Sequence, residues 1–379
     1  MKITPVKVGL IGSGQISWTY LNNMINRFKI LDVVGCSDII SERSEERAKE
    51  FNIKNMTNEE ILSDPEIKIV VNTTYPTSHY EVSKSALLAG KNVCCEKMIA
   101  VNLEEGRELI NIAKEKNLRM GMAPDTFMGA GLQTARKLID AGMIGEPFMV
   151  QAMVVRGYHQ EKWPVASMYE FTRQPGGGIP FDMGGYYMHA LINLLGPVVR
   201  ASGFTQCRNK NRIVQNTKNA RFGEKCEINT INALVGSLEF ANGVLGNLTL
   251  VSEGFSETPR IEIYGREGTL ICPDPNTFGG PVYLKRSGAV EAVSMPLTHG
   301  YEEGCCRGLG VADMAWGIVN SRPHRAHGDM GYHAFEIIHG IWQCSQTGKV
   351  YDMQSTCSQP APLASGYVED GMEEYALII

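Results

Sequence analysis

The sequence predicts an α/β protein, with a doubly wound parallel sheet in the N-terminal third and then an α+β domain with a large, mainly antiparallel open sheet. In the N-terminal third, apolar strand-like runs alternate with amphipathic helix-like runs, as a parallel sheet requires. Further along, strand-like runs follow one another with only turn sequences between them, which indicates hairpins and antiparallel pairing. The 379 residues are enough for two domains with sizeable cores.

The N-terminal strand-like runs are apolar and rich in β-branched residues, which is typical of parallel strands that are buried on both faces. They cover residues 6–11, 31–37, 67–72, 92–96 and 118–122. Apolar residues recur at helical spacing between them, for example over 41–51, 78–89 and 103–116. The alternation stops near Pro124, and we therefore assign residues 1–124 to the first domain.

The second domain, residues 125–350, is predicted to begin with helices over 132–141 and from about 182 to 195. Turn sequences between apolar runs predict its hairpins. The turns are Asn242-Gly243 between 234–240 and 244–251, Arg266-Glu267-Gly268 between 261–264 and 269–272, and a third around Ser287-Gly288. Residues 351–379 are rich in Ser, Pro and Gly, which predicts an irregular tail.

Gly12-Ser13-Gly14 lies between the first strand-like run and a helix-like run that starts with Gln15 and Ile16. Glycine permits a tight turn there, and it allows a pyrophosphate to approach the N–H groups of the helix start. Asp38 follows Gly14 by 24 residues and ends the second strand-like run. This spacing matches the dinucleotide-binding fingerprint of a Rossmann domain, although serine replaces the third glycine.

Asp38 is expected to accept hydrogen bonds from both hydroxyls of the adenosine ribose. Its negative charge would repel a 2′-phosphate, and the next residues, Ile39 and Ile40, supply no cation to neutralise one. The sequence therefore predicts NAD as the cofactor rather than NADP.

Composition and charge argue against several functional classes. The net charge is −5 and no basic run occurs, so a general nucleic-acid surface is not expected. No apolar stretch reaches the length of a membrane span, and the chain enters its first strand without a signal peptide. The ten cysteines form no CxxC pair, and we expect reduced thiols in a cytoplasmic protein.

Polar residues occur at two positions where a substrate could lie beside the cofactor. Glu96-Lys97 ends the fourth strand-like run, so Lys97 is expected at the carboxyl edge of the sheet, where such sheets bind ligands. In the helix predicted from residue 182, Asp182, Tyr186 and His189 occupy positions i, i+4 and i+7 and share one face. Three aligned polar groups among apolar neighbours indicate a functional role.

With these motifs the chain resembles the Gfo/Idh/MocA oxidoreductases, which include glucose–fructose oxidoreductase and inositol dehydrogenase. The resemblance covers essentially the whole chain. It rests on the Gly12 loop, Asp38, Asn72-Thr73-Thr74 with Pro76 and His79, Glu96-Lys97, Gly142 to Gly145 and the glycine-rich segment around Asp182. It implies that Thr73, Thr74, His79 and Glu96 belong to the cofactor site together with the glycine loop.

In that family the lysine of a Glu-Lys-Pro motif lies beside the nicotinamide and the reacting hydroxyl, which implies the same position for Lys97. The family's Asp-x-Gly-x-His motif contacts the substrate and supplies the acid/base, and here it runs from Asp182 to Tyr186. The sequence departs from the pattern twice. Met98 replaces the motif proline, and Tyr186 replaces the histidine, as in members similar to glucose–fructose oxidoreductase. His189, one turn further on, is the alternative acid/base.

Oxidation of a secondary alcohol removes a hydride, which the cofactor accepts, and a proton, which needs a base. We expect Tyr186 or His189 to accept the proton, Lys97 to be its electrostatic partner and Asp182 to orient the substrate hydroxyl. The positive charge of the nicotinamide should lower the pKa of Lys97, and the Lys97 ammonium should favour the phenolate of Tyr186.

Further substrate contacts are expected from two places. Tyr158, His159 and Trp163 follow the first strand of the second domain, and aromatic faces of this kind suit the C–H faces of a sugar. Arg307 and His324 lie in segments that resemble the sugar-oxidising members of the family. We expect no metal, because HExxH is absent and no Cys or acid lies at ligand spacing from the histidines near residue 324.

The predicted function is NAD-dependent oxidation of a secondary hydroxyl on a sugar, glycoside or cyclitol, with C3 of a glycoside as the more specific version. Two alternatives stay open, an NAD-dependent glycosidase that uses transient oxidation and elimination, and a non-catalytic NAD-dependent sugar sensor. An open antiparallel sheet leaves one face uncovered, so we expect a homo-oligomer, whether a dimer, a tetramer or a larger assembly. No nucleic-acid or membrane partner is expected.

Overall fold

The computed structural model describes residues 4–157, 173–254, 256, 259–365 and 375–378. The strands of the N-terminal region are β1 Val6–Ile11, β2 Leu31–Ser37, β3 Lys54–Asn55, β4 Ile69–Asn72, β5 Asn92–Cys95 and β6 Met120–Met122. The helices between them are α1 Gln15–Asn26, α2 Ser41–Phe51, α3 Asn58–Ser63, α4 Pro76–Leu88 and α5 Leu103–Glu115. The six strands form a parallel sheet in the order β3-β2-β1-β4-β5-β6.

This strand order turns back at β1 and β4, which is where doubly wound sheets bind ligands beyond the carboxyl ends of their strands. The predicted parallel sheet is therefore confirmed. The sequence analysis assigned no element to residues 54–63, where the structure has β3 and α3. A local pattern could have identified α3, because Thr57 and Glu60 form a reciprocal capping box at its start.

The second region is built on a nine-stranded sheet. Its strands are β7 Pro147–Val155, β8 Val198–Gln206, β11 Ala233–Phe240, β12 Leu245–Val251, β13 Arg260–Gly265, β14 Gly268–Cys272, β15 Val282–Arg286, β16 Val293–Met295 and β17 Tyr351–Asp352. They are arranged in the order β16-β15-β14-β13-β7-β12-β11-β8-β17, and every pair is antiparallel except β7 with β12. Two short strands, β9 Asn211–Ile213 and β10 Lys225–Glu227, form a separate antiparallel pair. The predicted mainly antiparallel sheet is confirmed.

Among the described residues, this sheet is accompanied by the helices α6 Ala130–Asp140, α7 Ile179–Leu195, α8 Leu309–Val319 and α9 Gly328–Thr347. The sequence analysis predicted α6 and α7 but assigned no helix to residues 328–347. Most of α9 is buried, including His333, Glu336 and His339. A helix that is buried nearly all round, with polar residues in its buried part, shows no one-sided apolar stripe in its sequence.

The C-terminal segment binds along the second region instead of forming a wholly irregular tail. β17 pairs with β8. The Glu336 carboxylate then accepts hydrogen bonds from the backbone N–H groups of Gln354 at 2.8 Å and Ser355 at 2.9 Å. Further on, the backbone N–H of Leu363 donates to Gln133 Oε1 at 2.8 Å, and residues Tyr375–Ile378 form a short helix, α10. The composition did not indicate these elements, because distant side chains stabilise the segment.

All ten cysteines lie in the described part of the chain, and each is a free thiol. Within the described ranges, no helix combines the length and the apolar character that a membrane span needs.

A buried ion cluster joins α8 to the C-terminal segment. Asp313, which is fully buried, accepts hydrogen bonds from Arg322 Nη2 at 2.7 Å and Arg325 Nη1 at 2.6 Å. Its second oxygen accepts from the backbone N–H of Arg325 at 2.6 Å. Arg325 also donates from Nε to the carbonyl oxygen of Ala361 at 3.0 Å. The carboxylate thus holds two arginines that reach the chain terminus.

We expect Asp313→Ala to lower the free energy of unfolding by about 3–5 kcal/mol, because it removes the carboxylate that compensates buried guanidinium charge. Asp329→Ala is the matched control. Its pair with Lys114 at 2.7 Å is exposed, so its loss should cost less than about 1 kcal/mol. Urea unfolding followed by circular dichroism measures both variants, and equal costs would contradict this account.

Candidate active site

The loop after β1 lies directly against the loop after β4. Gly12 has a φ of +102°, and a Cβ at this position would lie 2.7 Å from both Thr73 C and Thr74 N, so only glycine fits. Thr73 Oγ1 donates to the carbonyl oxygen of Gly12 at 2.7 Å. Gly14, the N-cap of α1, faces open space, and no side chain caps the helix. The first N–H groups of α1 are therefore available to an anion.

Asp38 binds the same loop from the end of β2. Its Oδ2 accepts from the backbone N–H of Ser13 at 2.7 Å, and its Oδ1 accepts from that of Ile40 at 2.9 Å. Each carboxylate oxygen has a second lone pair for a ribose hydroxyl. Gln15 is exposed and Ile16 half-buried at the start of α1. An uncapped helix start, an open glycine and a half-buried carboxylate fit the adenosine and pyrophosphate parts of a dinucleotide.

His79 connects the loop after β4 to the turn after β5. Its Nδ1 lies 2.6 Å from the carbonyl oxygen of Met98, and its Nε2 lies 3.0 Å from that of Thr74. The imidazole is buried, and burial lowers the pKa of His79. Asn72 orders the same loop, since its Oδ1 accepts from Thr74 Oγ1 at 2.7 Å. The residue that replaces the motif proline, Met98, is therefore held through its carbonyl, and Lys97 keeps its position after β5.

Lys97 and Asp182 form an ion pair between the two regions of the chain. Lys97 Nζ lies 2.7 Å from Asp182 Oδ1 and 3.1 Å from the carbonyl oxygen of Asp182. The two side chains are 14% and 21% exposed, so a small molecule can reach both. Glu96 supports the turn, because it accepts from the backbone N–H of Lys97 at 3.0 Å and from Tyr20 Oη at 2.8 Å.

A glycine allows α7 to approach this turn. A Cβ on Gly185 would lie 3.3 Å from Met98 Sδ and 3.9 Å from Lys97 Cβ. A larger side chain would therefore push the helix away from Lys97, and with it the carboxylate of Asp182. The Asp-x-Gly-Gly-Tyr segment consequently does more than supply polar groups, since its second glycine sets the distance between the two regions.

Tyr186 lies between two cations. Lys97 Nζ is 5.3 Å and Arg307 Cζ 5.7 Å from the centroid of its ring. Arg307 Nη2 also donates to Tyr186 Oη at 2.8 Å. Because a guanidinium can only donate, the phenol oxygen is the acceptor, and none of the described residues accepts the phenol's own proton. That proton is available to a ligand.

The charges in this cluster act on one another. Burial alone would lower the pKa of Lys97, but Asp182, Tyr186 and Glu96 outweigh burial and raise it above the ordinary value. The sequence analysis expected a lowered pKa from the cofactor and did not anticipate a carboxylate 2.7 Å away that acts in the opposite direction. Burial raises the pKa of Tyr186 above 10, while Lys97 and Arg307 act to lower it, as expected for Lys97.

The alternative acid/base, His189, lies deeper in the protein. Its Nδ1 donates to the carbonyl oxygen of Pro124 at 2.8 Å, and its ring contacts Phe127 edge-on. It is almost fully buried, and burial lowers its pKa to about 4, so the ring is neutral. Its Nε2 has no hydrogen-bond partner among the described residues. Of the two candidates, Tyr186 is the one that contacts Lys97 and Arg307.

The remaining predicted substrate residues lie elsewhere or outside the description. His324 is buried against β6, where its Nε2 donates to the carbonyl oxygen of Met120 at 3.1 Å and its Nδ1 faces Arg119. The structure does not bring it into contact with the Lys97 cluster. Tyr158, His159 and Trp163 lie outside the described residues. In the part of the chain that the structure describes, no group of three or more His, Cys, Asp or Glu side chains could hold a metal.

The sequence analysis missed three residues that complete the cluster. Asn276 Oδ1 accepts a hydrogen bond from Arg307 Nη2 at 2.8 Å. Asn23 on α1 donates to the carbonyl oxygen of Arg307, and Asp125 accepts from the backbone N–H of Gly310 at the start of α8. None stands in a motif. Asn276 follows β14 in an ordinary turn sequence, and Asn23 looks like a surface residue of an amphipathic helix. Only the fold brings them together.

Comparison with known proteins agrees with this geometry. Residues 6–123 match the "Oxidoreductase family, NAD-binding Rossmann fold", and residues 132–271 match the "GFO/IDH/MocA C-terminal domain". The chain belongs to the Gfo/Idh/MocA oxidoreductase family. Its N-terminal region is the family's NAD-binding Rossmann domain, so the predicted family, fold class and cofactor are confirmed.

Individual relatives of this chain have low sequence identity to it. An uncharacterised oxidoreductase of Schizosaccharomyces pombe is 29% identical over 201 residues, which are 51% of this chain and 53% of the relative. The chain thus spans about half the length of this relative and of a second one from the same yeast. A scyllo-inositol 2-dehydrogenase (NADP(+)) of Bacillus subtilis is 25% identical over 276 residues, 71% of this chain and 69% of the relative.

Among solved structures, levoglucosan dehydrogenase in complex with NADH aligns with 93% of this chain and 100% of its own, with a TM-score of 0.78 and 19% identity. At this identity the similarity shows a common fold. Because the alignment covers 93% of this chain, it includes both regions, and both share their fold with that protein.

We expect Gly14→Ala to weaken NADH binding by about tenfold or more, because a methyl group would occupy the open space beside the uncapped helix start. Its φ of −72° tolerates alanine, so stability should be unchanged. Gly12→Ala should lower stability as well, by about 1–3 kcal/mol, because its Cβ meets backbone. NADH fluorescence titration and urea unfolding measure the two effects. Unchanged NADH affinity in Gly14→Ala would contradict the assignment.

Proposed function

We propose that this protein oxidises a secondary hydroxyl of a sugar, glycoside or cyclitol with NAD, and that C3 of a glycoside is the position to test first. The observation that supports this proposal is the convergence of Lys97, Asp182 and Tyr186 at the carboxyl end of β5, at the same edge of the sheet as the glycine loop after β1. Oxidation of an alcohol needs a base for the hydroxyl proton. A phenolate at Tyr186, which the neighbouring ammonium and guanidinium favour, can accept that proton, and the carboxylate can orient the hydroxyl.

Two of the relatives support the substrate class. They are named as dehydrogenases of scyllo-inositol and of levoglucosan, both of which are polyhydroxylated rings. The identities of 25% and 19% are too low to carry over either substrate, so only the class enters the proposal.

The residues of the chain have distinct roles in this proposal. Bound NAD supplies the hydride acceptor. In the oxidation direction the phenolate form of Tyr186 accepts the proton of the reacting hydroxyl, and the phenol that results keeps its hydrogen bond from Arg307. Lys97 stabilises the negative charge that develops on the substrate oxygen. Asp182 keeps Lys97 protonated and orients the reacting hydroxyl.

The preference for NAD over NADP rests on Asp38. Its carboxylate already binds the glycine loop, and the following Ile39 and Ile40 are exposed and apolar. A 2′-phosphate at this position would be repelled by the negative charge of Asp38, and neither of the two residues that follow Asp38 is a cation that could neutralise it.

An assay of NADH absorbance across a panel of sugars, glycosides and inositols tests the proposal directly. We expect turnover with at least one member of the panel, and faster turnover with NAD than with NADP. No absorbance change with any member would refute the proposal. Release of free aglycone without net NADH would instead support the glycosidase alternative.

Lys97→Met should lower turnover by about 100-fold or more while NADH still binds, because charge stabilisation is lost at the reacting oxygen. Lys84→Met on α4 is the matched control, since it removes an ammonium that pairs with Glu108 at 2.8 Å, at the protein surface. The control should turn over at the normal rate. Near-normal turnover of Lys97→Met would remove this lysine from the mechanism.

We also propose that the outer face of the nine-stranded sheet binds a second copy of this chain. Phe204 is paired with Val235 across neighbouring strands, and Leu245 lies on the next strand; all three are exposed, Phe204 by 75%. Leu245 lies further along the same face, opposite Glu239, and exposed apolar side chains on one face of a sheet favour burial against a partner. Sedimentation velocity should show a dimer or larger species that Phe204→Asp dissociates. A wild-type monomer at micromolar concentration would contradict this proposal.

A further inference from the structure

The side chain of Arg307 donates hydrogen bonds to three neighbouring residues of the protein. Nη2 donates to Tyr186 Oη and to Asn276 Oδ1, both at 2.8 Å, and Nη1 donates to Cys305 Sγ at 2.9 Å. The sequence analysis expected this arginine to bind substrate, and that stays a prediction. Among its contacts in the structure, the phenol oxygen of Tyr186 is the chemically relevant partner.

A guanidinium bound to a phenol oxygen interacts more strongly with the charged form of that oxygen. The bond from the guanidinium to the neutral phenol is already charge-assisted, and it becomes a stronger bond between opposite charges when the acceptor carries a full negative charge. The bond from Arg307 is already made while Tyr186 is protonated, so no reorganisation is needed when the proton leaves.

We propose that Arg307 stabilises the phenolate form of Tyr186 during proton transfer, and that Asn23 and Asp125 hold Arg307 in the position where it does so. This inference rests on the proposed function, in which Tyr186 exchanges the proton of the substrate. It assigns to Arg307 a role in the chemistry and to Asn23 and Asp125 positioning roles.

The backbone around Arg307 is clamped from both sides. Asn23 Nδ2 donates to the carbonyl oxygens of Cys305 at 2.7 Å and Arg307 at 2.8 Å. Asp125 Oδ2 accepts from the backbone N–H groups of Gly308 and Gly310, each at 2.9 Å. Both Asn23 and Asp125 are almost fully buried. The arginine therefore has a fixed backbone, and its side chain needs little ordering.

One of these clamps belongs to the cofactor domain. Asn23 lies on α1, the helix whose uncapped start follows the glycine loop. α1, whose start we assign to the binding of the pyrophosphate, thus also holds the backbone of Arg307. The dinucleotide site and the proton-transfer site share one rigid element.

Several titratable or charged groups face Tyr186. Lys97 and Arg307 lower its pKa, whereas burial and Glu96 raise it. Asp182 acts through Lys97, and Cys305 acts through Arg307. The net pKa lies above 10. The phenolate fraction therefore rises with pH and levels off only above that pKa, and oxidation should become faster with it. Removal of Arg307 takes away one of the two positive charges that lower the pKa of Tyr186, and it should therefore raise the titration midpoint of Tyr186 further.

The ionisation of Tyr186 can be measured without substrate. NMR of protein labelled with [13Cζ]tyrosine follows each of the 14 tyrosines, and the Tyr186 signal is the one missing in Tyr186→Phe. We expect Arg307→Met to raise the Tyr186 midpoint by about one pH unit or more, and Arg307→Lys, which keeps the charge, to raise it less. Asn23→Ala should move the midpoint in the same direction, because the guanidinium is then less well positioned.

Arg27→Met is the matched control. It removes a guanidinium that stacks on Tyr301 in the same loop region, at 5.5 Å from that ring, and it should leave the Tyr186 midpoint unchanged. In the pH profile of oxidation, the rising limb of Arg307→Met should be displaced by the same interval as its NMR midpoint, with a tenfold lower rate for each unit.

The outcomes separate this inference from the proposed function. Equal Tyr186 midpoints in the wild type, Arg307→Met and Arg307→Lys would overturn the inference, and a raised KM with an unchanged midpoint would assign Arg307 to the substrate. A shifted midpoint in a protein that oxidises no member of the substrate panel would support the effect of Arg307 on Tyr186 while refuting the proposed function.

Discussion

The ion pair between Lys97 and Asp182 is the interaction on which the rest of the site depends. It joins the end of a parallel strand to the first turn of a helix from the second region, at 2.7 Å. Charges that are partly removed from water are stable only when geometry and further hydrogen bonds compensate them. The surrounding residues provide that compensation. Glu96 orders the backbone of the lysine, His79 binds the next carbonyl, and Gly185 lets the helix come close.

Once the pair is fixed, the position of Tyr186 follows from helix geometry. Tyr186 is one turn after Asp182 on α7, so its ring lies beside the lysine that Asp182 holds. The second cation comes from a different part of the chain, the loop before α8. Two positive charges on one buried phenol partly offset the cost of burying its charged form. The converse applies to His189: burial disfavours its charged form, no carboxylate among the described residues offsets that cost, and the ring stays neutral.

Residues from both regions hold the loop that carries Arg307. α1 from the cofactor domain binds the backbone of Arg307, and Asp125, at the junction of the regions, binds the start of α8. One turn further along α8, the buried Asp313 cluster connects this helix to the C-terminal segment. The loop that carries Arg307 is thus held between α1 of the Rossmann domain and α8 of the second region. Such a loop can present a side chain with little loss of entropy on binding.

The sequence by itself determined the elements whose patterns are local. The glycine loop, Asp38, Glu96-Lys97 and the Asp182–Tyr186 spacing depend on the period of a strand or a helix and on turn chemistry, and so does the Asn242-Gly243 hairpin. The tertiary structure alone decided which distant residues meet. Asn23, Asp125 and Asn276 have no motif because their partners are far away in the chain, and α9 has no stripe because it is buried nearly all round. The choice of Tyr186 as the residue beside two cations also depends on the fold, since helical periodicity gives Tyr186 and His189 the same face but not the same depth.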